Sequence, residues 1–170
     1  MEKVKDKKAI DELNEELASA GVPTDYRKFS GPPLTPLDAL VNGPFSAKPY
    51  VNIILKYAPR LEPHEKIKVA RALTEKGINE AVPFLLSLFK DYSSTEIDLW
   101  AVGNALSVID DKSSYQEILE ICKERKHGTA RQMLMSVLAK IKTPEAYQVL
   151  IDSLNDDTVK AHAIEALGRF

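Results

Sequence analysis

The feature that most constrains how this chain can fold is a repeat. Four segments, VARAL (69–73), VGNAL (102–106), LMSVL (134–138) and AIEAL (163–167), close on Leu73, Leu106, Leu138 and Leu167. Those leucines are 33, 32 and 29 residues apart (106−73, 138−106, 167−138). Within each segment the apolar residues recur at helical spacing, as in Val69, Ala70 and Leu73 or Val102, Ala105 and Leu106. A second helical pattern follows each of the first three, in AVPFLLSLF (81–89), SYQEILEIC (114–122) and AYQVLIDSL (146–154). Leu85, Ile118 and Leu150 each lie 12 residues after the preceding closing leucine (85−73, 118−106, 150−138), and Phe89, Cys122 and Leu154 keep the same steps. Two columns sharing one period imply a unit of two helices. Such a unit cannot bury its apolar face alone, and stacking neighbours supplies the core.

The register extends upstream. Leu40 lies 33 residues before Leu73, and Ile53 and Tyr57 lie 32 before Leu85 and Phe89, which predicts a degenerate first unit at about 35–60. Thr35-Pro36, Pro63 and Thr143-Pro144 read as helix starts, and Gly77 as a helix stop. Further units are expected at about 61–92, 95–125 and 128–155, with a half unit at 156–170. Residues 1–34 are expected to be an N-terminal helix, striped by Ile10, Leu13 and Leu17, and a Pro/Gly-rich capping strap that buries Tyr26 and Phe29. No alternating strand pattern occurs. The fold class expected is all-α, a right-handed α-solenoid of about four helical pairs plus a terminal helix.

Composition narrows the function classes. Lys+Arg total 23 against 25 Asp+Glu, a formal net charge of −2, so a chain-wide basic footprint for nucleic acid is absent. The single cysteine, Cys122, can build neither a disulfide framework nor a thiolate cluster, and its column predicts a buried small hydrophobe. No signal-peptide core or membrane span is apparent, and a cytoplasmic protein is expected.

The units resemble HEAT repeats. The last, DDTVKAHAIEALGRF, is similar to the short repeat of the phycobilisome-lyase type in its acidic pair Asp156-Asp157, in Val159-Lys160, and in Ala166-Leu167-Gly168. The resemblance covers roughly 35–170 and implies fold more than function, because HEAT-like repeats serve scaffolds, lyases, hydroxylases and glycosylases alike. Lys66, Arg131 and Lys160 share a column and are expected to form ladder pairs with acids of adjacent units. The di-iron hydroxylases of this architecture use several His-Glu pairs, and here only His64-Glu65 occurs. The alkylpurine glycosylases use an Asp, a Trp and an Arg. Asp98 and Trp100 are the candidates here, but Trp100 shares an apolar column with Ile67, which predicts packing between helices.

No phosphate loop, nucleophile elbow or metal-spaced His/Cys set is present, so no catalytic residue, metal or cofactor is expected. The reading is a non-catalytic scaffold or adaptor that binds a protein partner through the concave face lined by the second helices. Its candidate residues are Asn52, Lys56, Ser87, Lys90, Gln116, Glu120, Lys123, Gln148, Asp152 and Asn155. The alternatives are a glycosylase-like DNA-binding protein or a lyase-type HEAT protein. The final helix is expected to cover the fourth unit with Ala161, Ile164 and Leu167, leaving Ala163, Ala166 and Phe170 outward. That outer face would meet a second copy of the chain, as a homodimer, or mark a cut from a longer solenoid.

Overall fold

The computed structural model describes residues 8–25, 34–90 and 96–170, the side chains of the last stretch from residue 99 onward. Among the described residues every regular element is helical: α1 (Ala9–Ser19), α2 (Pro36–Asn42), α3 (Val51–Tyr57), α4 (Pro63–Ala72), α5 (Val82–Lys90), α6 (Glu96–Ile109), α7 (Tyr115–Lys123), α8 (Gln132–Ile141), α9 (Pro144–Asp152) and α10 (Lys160–Leu167). Short 3-10 turns precede or follow several of them.

Local chemistry explains where these helices begin and end. Thr35 caps α2 through its hydroxyl, which accepts from Asp38 N at 3.1 Å, and the Asp38 carboxylate accepts from Thr35 N at 3.2 Å. Glu62 and Glu65 form the same reciprocal box ahead of α4, with Pro63 at its first position. Thr143 accepts from Ala146 N at 3.2 Å and opens α9 beside Pro144. At the other ends, Gly77, Asp110 and Lys142 have φ of 82°, 60° and 52°. They keep steps of 33 and 32 (110−77, 142−110); Asp110 and Lys142 directly follow α6 and α8, whereas α4 already ends at Ala72 with Leu73 as its cap and Gly77 turns the chain five residues later.

The first helices stack in one layer, α2 on α4, α4 on α6, α6 on α8 and α8 on α10. The second helices lie behind them, α5 packed on α6, α7 on α8 and α9 on α10, the first helix of the following unit in each case, with α7 also on α9. The arrangement is an α-solenoid. Its core runs through the repeat columns: Leu73, Leu106 and Leu138 are 0–1% exposed, as are Leu85, Ile118 and Leu150. Each such leucine contributes about 2 kcal/mol of burial free energy. In the first unit Ile54 is fully buried and Ile53 only partly, so the core position there sits one residue later than the register predicts.

α1 packs on α2 and α3, the relation α7 has to α8 and α9, and so occupies a second-helix position ahead of the first pair. Leu13 and Leu17 are its fully buried residues, while Asp11, Glu15 and Ser19 are exposed on the opposite side. The strap's Tyr26 and Phe29 lie outside the described residues; at its edges Val22 is buried and Leu34 half-buried.

α10 is rotated relative to the expected facing. Val159, Ala163 and Ala166 are 0–2% exposed, whereas Ile164 is 56% exposed and Ala161 lies on the surface. The inward stripe begins at Val159, in the turn before the helix. A stripe begun at Ala161 instead is displaced by two residues, about 200° around the axis.

Candidate functional site

All ten candidate residues on the second-helix side are exposed. Asn52 and Lys56 stand on α3, Ser87 and Lys90 on α5, Gln116, Glu120 and Lys123 on α7, Gln148 and Asp152 on α9, and Asn155 in the turn after α9. The structure divides them into groups. Lys56 is 2.6 Å from Glu16 of α1, whose carboxylate also accepts from the Tyr57 hydroxyl at 2.5 Å. That arrangement fastens α1 to α3. Gln148 donates to Asp152 at 2.9 Å along one face of α9, and the Ser87 hydroxyl turns back to the Phe84 carbonyl.

α7 carries the densest polar cluster. Lys123 lies 2.8 Å from Glu120 and 2.5 Å from Glu145 of the next unit, and Gln116 donates to Glu120 at 3.1 Å. The bond from Lys123 holds the Glu120 carboxyl below its ordinary range, and the bonds to Glu120 and Glu145 raise the Lys123 ammonium above its own.

Two clefts flank α7. The cleft toward α5 is about 580 Å³, open space included, with a floor of Leu86, Phe89, Ile121 and His127. Its rim is Lys90, Glu117, Glu120, Glu124 and Lys126. His127 is 3% exposed, meets Phe89 edge-on with ring centroids 5.3 Å apart, and has Nε2 3.4 Å from Glu124. Burial pushes its imidazole below the ordinary histidine value despite that carboxylate. Lys90 and Glu120 are the candidates that meet here. His127 joins them unforeseen; the signal available was its place just after Glu124, on the approach to the next first helix.

The cleft toward α9, about 370 Å³, brings together the candidates Lys123 and Asp152 with Arg125, Arg131 and Asp156. Arg131 is 2% exposed. Its Nη2 is 2.5 Å from Asp156 Oδ2 and donates to the Thr158 hydroxyl, Nη1 donates to Cys122 O, and Nε to Gly128 O. Although burial alone would raise the Asp156 carboxyl, the bonds from Arg131 and Thr158 hold it down to about 2. This is the ladder pair expected of Arg131. Among the described residues the rest of that column does not repeat it: Lys66 is half-buried, Lys160 is exposed, and the rung joining α2 and α4 is Lys68–Asp38. Cys122 is buried beside Arg131, and burial pushes its thiol up to about 12, far from a thiolate nucleophile.

Trp100 departs from expectation. It is 38% exposed and lines an open cleft on the first-helix layer with Val41, Asn42, Arg71, Thr74, Ala101 and Asn104. Its column runs Ile67, Trp100, Gln132, Ala161, in which Ile67 is buried, Gln132 half-buried and Trp100 and Ala161 exposed. The position is a layer edge, where an indole packs one side and presents the other. The Asp98 side chain lies outside the described residues. Among the described residues no group of three His, Cys, Asp or Glu is placed to hold a metal, and His64 is exposed. No described helix is long and apolar enough to cross a membrane.

The model of the family described as HEAT repeats matches residues 94–168. That stretch is similar to HEAT repeats. It takes in α6 to α10, and the helical pairs of α2 to α5 stack on it in the same register. The match carries the repeat class and no subtype. Curated proteins and solved structures give no match.

Proposed function

We propose that the chain is a non-catalytic HEAT-repeat scaffold that binds a protein partner through its second-helix face, centred on the cleft between α5 and α7. HEAT repeats are in general protein-interaction scaffolds, and the observation that supports this location is the cleft's composition. An apolar floor of Leu86, Phe89 and Ile121 with a rim of Glu117, Glu120, Lys90 and Lys126 offers an anchor pocket inside a ring of charge. That is the anatomy of an interface hot spot. The adjoining Asp152 and Lys123 extend the polar rim across α9. A partner bound there rests on a surface that stacking holds in place, with little ordering to be done on binding.

Capture with the full chain as bait tests the proposal. The double variant Glu120→Lys, Asp152→Lys reverses two exposed charges and is expected to lose captured partners at least tenfold while keeping its melting temperature. Capture that survives the reversal contradicts the proposed face. A second reading has one observation in its favour, the exposed Trp100 beside Arg71, a combination suited to stacking on a nucleobase. Among the described residues Arg71 is the one charged group lining that cleft, and the reading has little electrostatic support from it.

A further inference from the structure

The repeat register tells which surface of each unit the next unit covers. Ala70, Met135 and Ile164 occupy one column of the first helices, together with Gly103. Ala70 and Met135 are fully buried because α6 and α10 lie against α4 and α8, and a Cβ on Gly103 would stand 2.6 Å from Ala130 O of the following unit. Ile164, the same position on α10, is 56% exposed. Leu167 is partly exposed where Leu106 and Leu138 are buried. The second-helix layer changes in parallel. Tyr147 is 45% exposed where Val82 is buried, and Ile151 and Leu154 are half-buried where Leu86, Leu119, Phe89 and Cys122 are buried. Phe170 lies edge-on to Tyr147, with ring centroids 5.2 Å apart, and completes the apolar surface.

We infer that this α9–α10 face pairs with the same face of a second copy, first helix on first helix, antiparallel about a two-fold axis near Ile164. Inside the array this face of α4, α6 and α8 is covered by another first helix, and α10 of a second copy is such a helix with the same apolar residues outward. Head-to-tail stacking is disfavoured, because the outer side of α1 presents Asp11, Glu15 and Ser19, which would be buried against Ile164 and Tyr147. Among the described residues, the isologous pairing is the one that puts apolar against apolar. Antiparallel α10 helices also place the exposed Lys160, at a helix start, beside the carboxyl end of the partner helix, where a cation is favourable. Helices of eight and nine residues are about 12–14 Å long, so the face is smaller than the roughly 800 Å² per partner of a standard interface. Association in the micromolar range is expected.

Sedimentation equilibrium on the 170-residue chain over a wide concentration range tests this. The wild type is expected to dimerise. Ile164→Glu, at an exposed position that should leave the fold intact by circular dichroism, is expected to weaken dimerisation at least tenfold. Ile164→Cys should give a covalent dimer with a short bis-maleimide, and Ser19→Cys on α1 should not; Cys122 is 1% exposed and leaves the background clean. A wild type that stays monomeric at millimolar concentration overturns the inference. So does a dimer indifferent to Ile164→Glu, or one crosslinked through Ser19→Cys. These outcomes are independent of the α5–α7 cleft, which lies elsewhere on the molecule.

Discussion

Arg131 uses all three guanidinium nitrogens on partners from three places: the Cys122 carbonyl at the end of α7, the Gly128 carbonyl in the turn before α8, and Asp156 with Thr158 in the turn before α10. One buried side chain thereby joins the last two units. Removing one partner of such a pair leaves the other charge desolvated, so Arg131→Met is expected to cost about 3 kcal/mol in chemical denaturation. The carboxylate gives a pH signature. Asp156 titrates near 2 when folded and at 3.8 in its unperturbed form. Its stabilisation is therefore complete above about pH 4 and is lost as pH falls from 4 toward 2. The melting temperature of the wild type should drop over that window, and that of Arg131→Met should drop less; equal slopes would contradict the pairing. The basic column containing Arg131 was legible in the sequence, but its rungs were not. Whether a basic residue of this column reaches an acid depends on the turn of the neighbouring unit, and for Arg131 Asp156-x-Thr158 supplies one.

At the scale of the element, the caps were legible because each is a local contract between residues three apart, as in Thr35 with Asp38. The left-handed turns after the first helices were legible only at Gly77, where glycine announces the conformation, and even there α4 ends five residues earlier, at Ala72. Asp110 and Lys142 adopt the same conformation at the same register position without that signal. Asp110 is compensated, since its carboxylate accepts from the Tyr115 hydroxyl and pairs with Lys140, both at 2.9 Å. Lys142 is exposed and holds φ at 52°. Lys142→Gly is expected to stabilise the chain by about 0.5–1 kcal/mol, read as a higher denaturation midpoint. A lower midpoint would mean that the Lys142 side chain matters more than its backbone. The facing of α10 was misjudged for a related reason: its stripe starts at Val159, in a turn, and a pattern read only from helical residues misses the first member.

At the scale of the whole molecule, period and offset determined the layers, because two columns with one spacing admit only stacked helical pairs. Surface chemistry was less legible. Exposure of the ten second-helix residues follows from their flanking the apolar stripe, but which four of them line the two clefts depends on the Phe89–His127 contact and on Arg131, both tertiary. Trp100 shows the same limit from the first-helix side: its column marks an apolar edge, not how much of the indole the neighbouring helix covers. The result is a molecule with a polar outer side on α1, an apolar α9–α10 face, and a clefted second-helix face between them.

Site-specific photo-crosslinking tests most directly which face meets a partner. A photoreactive residue is placed in the full chain either at Ser87 and Gln116, beside the α5–α7 cleft, or at Arg71, beside Trp100. Discrete protein adducts are expected from positions 87 and 116, disappearing in the Glu120→Lys, Asp152→Lys background, with none from position 71. Adducts from position 71 alone, or adducts at 87 and 116 that persist through the charge reversal, would contradict the proposed face.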